Sequence, residues 1–424
     1  MENGNFPENS GAEKDGARIF SAGELVENFM GNTDLVKSLL LRFMERTERQ
    51  LTDVPSLAEK EDWETALREA HTLKGSARNL SALDLGDAAA RWEEACRNED
   101  PAAVQNLAPE LGRSFARFRA AADRYLAEKK YSGLSCLHTH TLFCDGHDDV
   151  ETCCRRAWEK GLVSLGFSAH APITKKTGIP SDWQLPEDRL QDYLDAVREA
   201  RGRWQGKLSV YLGLEVDYIG GLMGPADQDY RDLGLDYLIG SVHYLIPPHS
   251  APFTVDGSRE ELDRGLKEGF GGDGEALMHC YWDQVAAMIR AGGFDILGHA
   301  DLVKKNNRPP GTGGAFFDPR SPAYLRRTAE IAALAGARPG MVVEVNTGGL
   351  NRGTVDETYP SLAMLRLFRE NKVPALINAD AHRAQDLDGH YGEALEMMRQ
   401  AGYTETALFA GREAGRPRWT VREI

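Results

Sequence analysis

The 424-residue chain contains no run of about eighteen apolar residues, so nothing in it reads as a membrane-spanning helix. Its opening, Met-Glu-Asn-Gly-Asn-Phe-Pro-Glu-Asn-Ser, has neither the basic nor the apolar region of a secretion signal. Cysteine is scarce. Cys96, Cys136, Cys144, Cys153, Cys154 and Cys280 show no framework spacing, and vicinal Cys153-Cys154 is an awkward start for a bridge. A cytoplasmic protein with free thiols is expected, with Cys144 a small packing residue. Positive charge is short as well, the formal balance being −15. That excludes a protein whose main task is gripping a nucleic-acid backbone, which needs clustered Lys and Arg. It suits an enzyme, and it is compatible with bound cations or a cationic substrate.

What is present falls into two regimes. Residues 1–20 are polar and read as a tail. Residues 21–128 carry helical periodicity, beginning at Ser21-Ala-Gly-Glu24 with capping-box spacing. Long amphipathic segments follow over Asp34–Leu51, Trp63–Leu80, Leu83–Arg97 and Pro101–Glu128, the last opened by a proline. No strand pattern interrupts them, so an all-α four-helix bundle is expected. After a short linker, residues 132–424 switch to apolar runs of strand length alternating with helical stretches. The runs are Leu134–His138, Val163–Phe167, Leu208–Val216, Asp236–Val242, Phe294–Gly298, Met341–Asn346 and Pro374–Ala379. Helices are expected over Asp149–Lys160, Pro186–Arg203, Glu275–Ala291, Pro322–Ala335 and Tyr359–Glu370, and a long loop over Pro247–Gly274. Seven β/α units argue for a parallel α/β barrel, one unit short of the usual eight.

One bundle helix has an unusual polar stripe. His71, Lys74, Gly75 and Arg78 stand three and four residues apart, on one face. A glycine inside a helix costs ~1 kcal/mol against alanine and calls for a reason. Here it would uncover the imidazole one turn earlier, with Lys74 and Arg78 ready to meet negative charge delivered to His71. Ala70-His-Thr-Leu-Lys-Gly-Ser-Ala-Arg-Asn-Leu80 closely resembles the phosphoacceptor segment of histidine phosphotransfer (HPt) domains. The resemblance implies that His71 takes a phosphoryl group from the receiver domain of a response regulator and passes it on. Ser81 departs from the glycine that many relatives carry, but it is still small.

The ends of the barrel strands repeat one theme. The first ends in His138 and His140, whose spacing puts both imidazoles on one face of a strand. Five residues on stands Asp145. The later runs lead to His170, Glu215, His243, His299 with Asp301, Glu344, and Asp380 with His382. Six of the eleven histidines therefore sit where β/α barrels build active sites. Buried carboxylates among them would face several kcal/mol of desolvation each, which bound cations remove. The donors exceed the needs of one tetrahedral ion and suit two or three divalent ions. Such a cluster acidifies bound water and clamps an in-line displacement. Phosphate monoester hydrolysis, where accelerations approach ~10²¹, needs this most. Arg352, Lys304, Lys305 and Arg383 follow strands and are candidates to hold phosphate oxygens.

Residues 134–424 strongly resemble the polymerase-and-histidinol-phosphatase (PHP) superfamily, and within it histidinol-phosphate phosphatases. The matching pieces include Leu-His138-Thr-His140-Thr-Leu-Phe-Cys-Asp145-Gly, Tyr-Leu-Gly-Leu-Glu215-Val-Asp-Tyr and Asn-Ala-Asp380-Ala-His382. The resemblance implies a distorted (β/α)7 barrel with a trinuclear site of Mn, Fe or Zn. One ion would take His138, His140, Glu215 and Asp380. Glu215 would bridge to a second ion held by His243 and His299, and the third would take Asp145, His170 and His382. His147 beside Asp145 is the alternative for that last set. A metal-bound hydroxide would attack L-histidinol phosphate, with Arg352 binding the substrate phosphate and Asp301 a catalytic, proton-transfer or ligand-supporting residue.

Overall fold

The computed structural model describes residues 18–30, 33–128, 131–248, 250–307 and 315–424. Residues 1–17 of the expected tail lie outside the described residues. Its last residue does not behave as a tail: the Phe20 ring is buried edge-on against Phe118 and Tyr125, with centroids 5.5 and 5.8 Å away. The chain divides into two compact units, Met1–Ser132 and Gly133–Ile424.

The first unit consists of α1 (Ala22–Asn28), α2 (Thr33–Glu59), α3 (Trp63–Asn79), α4 (Leu83–Arg97) and α5 (Pro101–Glu128). α2 packs on α3 and α5, and α4 packs on the same two, which makes the bundle. Local chemistry starts the helices: Asp62 caps α3 by accepting from Thr65 N at 3.3 Å, and Asp100 caps α5 by accepting from Ala103 N at 2.9 Å. The capping box expected at Ser21 does not form. Its hydroxyl makes no cap bond, and its carbonyl accepts from Leu25 N instead. α2 also runs past its expected end at Leu51 to Glu59, through Pro55. An interior proline costs about 3 kcal/mol, and burial of Val54 and Ala58 on either side offsets it.

The second unit is built on seven parallel strands in the order β1 (Ser135–Cys136), β2 (Ser164–His170), β3 (Ser209–Asp217), β4 (Tyr237–Ser241), β7 (Ile296–Leu297), β8 (Val342–Asn346) and β9 (Ala375–Asn378). Beyond β1 and β9 the chain pairs once more, Thr139 bridging Ala381, so the sheet curls into a nearly closed barrel. Each expected apolar run overlaps one of these strands, and β2 and β3 run on past theirs to His170 and Asp217. Fully buried runs such as Ser164–His170 are what a parallel sheet covered on both faces demands. A small hairpin, β5 (Tyr244–Leu245) with β6 (Phe253–Thr254), follows β4. The stretch Pro247–Gly274, expected to be loop, holds a helix over Arg259–Phe270 capped by Ser258. Tyr359, expected in a helix, instead exchanges backbone hydrogen bonds with Asn346, and the helix begins at Leu362. A final hairpin, β10 (Glu405–Glu413) and β11 (Arg416–Glu423), was not foreseen. Phe409 of β10 packs against Tyr211 and Tyr237, near the starts of their strands, and against Trp419 of β11. That end is plugged, which leaves the carboxyl ends of the strands for chemistry. No helix among the described residues is long and apolar enough to cross a membrane. All six cysteines are free.

Candidate metal centre and candidate phosphoacceptor

Parallel register builds the centre. His170 at the end of β2 pairs with Glu215 on β3, and Asp217 two residues on pairs with Ser241 of β4. Ser241 Oγ donates to Glu215 Oε1 at 2.7 Å and fixes that carboxylate. His138 and His140 lie beyond β1, locked by bonds from His140 N to Ala381 O and from Ala381 N to His138 O. Their rings are 5.1 Å apart and both are buried. Asp380, beyond β9, holds a left-handed backbone at φ +48°. Non-glycine residues adopt that conformation rarely, and it concentrates at functional positions.

All nine expected metal ligands come together. Glu215 Oε2 lies 3.1 Å from His138 Nε2 and 2.9 Å from His170 Nδ1; Oε1 lies 2.8 Å from His299 Nε2 and 3.5 Å from His243 Nε2. Asp380 Oδ1 is 3.2 Å from His140 Nε2, and Asp145 Oδ2 is 3.1 Å from His382 Nε2. Four donor groups have atoms close enough to share an ion: His140–Asp145–His170–His382, His138–His140–Asp380, His138–Glu215–His299 and His170–Glu215–His243. The grouping differs in detail from the expected partition, because His138, His140 and His170 each stand between two sets. His147 is exposed and belongs to none of the groups.

The donor chemistry fits divalent ions. His138 Nε2, His140 Nε2, His170 Nδ1, Asp145 Oδ1 and Glu215 Oε2 are buried and have no hydrogen-bond partner, although they face one another. Buried polar atoms are otherwise nearly always satisfied, so this convergence marks a candidate cation site. Burial would raise the Asp145, Glu215 and Asp380 carboxyls, but neighbouring histidines, and Arg352 for Asp380, outweigh it and hold all three ionised. Burial, with His170 and His382 alongside, drives His140 down to about 3, a neutral ligand. Burial would also lower His243, yet Asp217 and Glu215 lift it to about 10. Burial and Asp145 push the Cys144 thiol up to about 12, so it is not a thiolate donor.

Two acids unassigned in the sequence reading orient the ligands. Glu344 Oε2 meets His138 Nδ1 at 2.9 Å while its Oε1 accepts from His299 N at 2.7 Å. Asp217 Oδ1 meets His243 Nδ1 at 2.8 Å. Asp217 ends β3 two residues past Glu215 and on its face, and Glu344 stands inside β8; a buried acid on a strand is the available signal for such a role.

A cavity of about 290 Å³ opens over the cluster. Arg352 and Lys305 line it. Arg352 reaches Asp380 Oδ2 at 2.9 Å and His382 Nδ1 at 3.1 Å, and Gly348 has no side chain because a Cβ would sit 2.8 Å from that guanidinium. Lys304 and Arg383, candidates from sequence, are not among the described lining residues. Lys304 pairs with Glu357 and Asp301, and Arg383 is exposed. Asp301 is buried outside that lining, accepting from Ser361 N at 2.8 Å. Asp256 and Trp183, which sequence reading passed over, do line the cavity.

On the bundle, His71 is 68% exposed and its Nδ1 lies 3.1 Å from Oε1 of buried Glu93 on α4. Lys74 and Arg97 share that carboxylate. Burial raises Glu93, but Lys74 and His71 more than offset this and keep it below the usual range. A Cβ on Gly75 would meet nothing within 4 Å, so packing does not require the glycine. Arg78 turns from His71 to Asp87, 3.5 Å away. Gly75→Ala is therefore expected to stabilise the helical unit by up to ~1 kcal/mol, read by urea unfolding. A drop in phosphoryl acceptance at that higher stability would mark the glycine as kept for docking.

Residues 137–348 match the family model of the PHP domain. The chain belongs to the PHP family. A second model, the Hpt domain, matches residues 38–125. The PHP region resembles a Deinococcus radiodurans protein named "Probable histidinol-phosphatase", 28% identical over 273 residues, covering 64% of this chain and 95% of that one. It is also 28% identical over 275 residues to the Bacillus subtilis "Histidinol-phosphatase", covering 61% of this chain and 97% of the relative. The fold matches a Listeria monocytogenes crystal structure named as a candidate histidinol phosphatase. That match has a TM-score of 0.54 and 24% identity over 61% of this chain and 98% of the other.

Proposed function

We propose that the PHP barrel hydrolyses L-histidinol phosphate to L-histidinol and phosphate, using two or three divalent ions of Mn, Fe or Zn. The observation that carries this reading is the convergence of nine His, Asp and Glu side chains with unpartnered donor atoms beneath one cavity. The names of the PHP relatives supply the substrate. His138, His140, Asp145, His170, Glu215, His243, His299, Asp380 and His382 would hold the ions. When bound, the ions lower the pKa of water toward neutrality and neutralise charge on a phosphoryl group. The chain's own residues do the rest. Arg352 presents a guanidinium, already oriented by Asp380, to the phosphate oxygens. Glu344 and Asp217 fix the tautomers of His138 and His243. Asp301 takes a supporting part by holding Lys304 and the Ser361 amide.

Metal analysis of the purified protein coupled to a phosphate-release assay tests the proposal. Chelation should abolish release from L-histidinol phosphate, and returning Mn, Fe or Zn should restore it. Equal turnover of sugar phosphates or oligonucleotides would transfer the reading to another phosphoesterase.

The bundle supports a second activity in the same chain, phosphoryl acceptance at His71 from a receiver domain. The exposed imidazole held through Nδ1 by a buried carboxylate leaves Nε2 as the free nucleophile.

A further inference from the structure

We infer that Trp183 is a positioning residue that sets how firmly the ions next to His170 and His243 are retained. The inference rests on the metal-centre reading above. Its starting point is a difference among the ligand imidazoles. His138 and His243 each have Nδ1 fixed by an acid behind them, Glu344 and Asp217. His170 has no such support among the described residues. Its Nδ1 and Nε2 both face acids of the cluster itself, Glu215 at 2.9 Å and Asp145 at 3.7 Å. Hydrogen bonds therefore do not hold its ring plane from outside.

The indole of Trp183 supplies that support. It stands perpendicular to the His170 ring, with centroids 4.6 Å apart and an interplanar angle of 89°. It also meets His243 at 5.5 Å and 76°, so one side chain braces both imidazoles of the His170–Glu215–His243 set. Edge-to-face contacts of this kind contribute about 0.5–1.5 kcal/mol each beyond the area they bury. The indole is itself held, lying parallel to buried Tyr244 of β5 at 5.9 Å and 12°. The next two residues reach the same two histidines by other means. Gln184 Nε2 donates to Asp217 Oδ2 at 3.2 Å, and Asp217 orients His243. Leu185 N donates to the His170 carbonyl at 3.1 Å. Three consecutive residues of the loop after β2 thus form one latch over two ligands.

The test compares full-length wild type, Trp183→Ala, Trp183→Phe and Gln184→Ala, each loaded with manganese and challenged with excess chelator. Trp183→Ala should lose manganese about 10–100-fold faster, the usual cost of removing a group that orients a ligand. Trp183→Phe should recover much of the retention because it keeps a ring edge. Gln184→Ala, which cuts the other link to His243 outside the core, should also release metal faster. The kcat at saturating manganese should fall less than retention does. Tryptophan emission should change on reloading the wild type, and that change should vanish in Trp183→Phe. Equal release rates in all four proteins would overturn the inference, as would normal retention with only a raised KM. A wild type that binds no manganese, iron or zinc would overturn the metal-centre reading along with it.

Discussion

Glu215→Gln is expected to lower kcat/KM for L-histidinol phosphate by at least about a thousand-fold, equivalent to roughly 4 kcal/mol of transition-state stabilisation. Glutamine keeps the shape and removes one negative charge, so the size of the effect reports charge. No other carboxylate here is placed so centrally. Glu215 oxygens lie within 3.6 Å of nitrogens of His138, His140, His170, His243 and His299, drawn from four different strand ends. A neutral amide would present its NH2 to some of these nitrogens and would be a poorer donor to any cation held among them. Metal content should fall together with activity, by at least one ion per chain. The variant should still fold, because Ser241 and the β2–β3 and β3–β4 ladders hold the position through groups that glutamine retains. His138→Ala should show the same loss. Full activity in either variant would remove the barrel's catalytic reading and leave it as an output or docking module for the bundle.

The parts of this arrangement that were legible in sequence are those carried by period and by chain order. Strand-length apolar runs announce a parallel sheet because its strands are buried on both faces, and the ligands follow the runs at their carboxyl ends. Partition of the ligands among ions was not legible. A spacing of two puts His138 and His140 on one face, but it says nothing about distances across a barrel, and these decide that His170 stands between Glu215 and Asp145. The helix at Arg259–Phe270 was hidden by Gly265 and Gly269, which dilute helical propensity. Both are required by tertiary approach, since a Cβ would fall 2.5 Å from the Phe253 ring or 2.7 Å from Pro247. The terminal hairpin was hidden differently: Pro417, Trp419 and Val421 alternate with polar residues along β11, but no residue of the strand is fully buried, so no apolar run marks it. In the bundle, the phosphoacceptor stripe was visible on one helix, but its decisive partner was not. Glu93 lies twenty-two residues away on the next helix and meets His71 only after the two helices pack.

That pairing sets the second large effect. His71→Gln should abolish formation of an acid-labile, base-stable phosphoryl adduct when the chain is incubated with a phosphorylated receiver domain. Phosphate release from L-histidinol phosphate in the absence of that donor should be unchanged. Glu93→Gln should fold and still accept a phosphoryl group, but more slowly. The Glu93 carboxylate accepts from Nδ1–H, which keeps Nε2 unprotonated and outward, and it compensates the positive charge that the ring gains as the Nε2–P bond forms. Hydrogen bonds to charged groups contribute about 1.5–3 kcal/mol, so the slowing should be about ten- to a hundred-fold. The sign of the pH effect follows from the same pair. Lys74 and His71 hold the Glu93 carboxyl below its ordinary range, so this support is fully present at neutral pH and is lost only as pH falls through the lowered value. A wild-type acceptance rate in Glu93→Gln would show that the acid serves only to anchor Lys74 and Arg97. Adduct formation in His71→Gln would place the phosphoacceptor elsewhere in the chain.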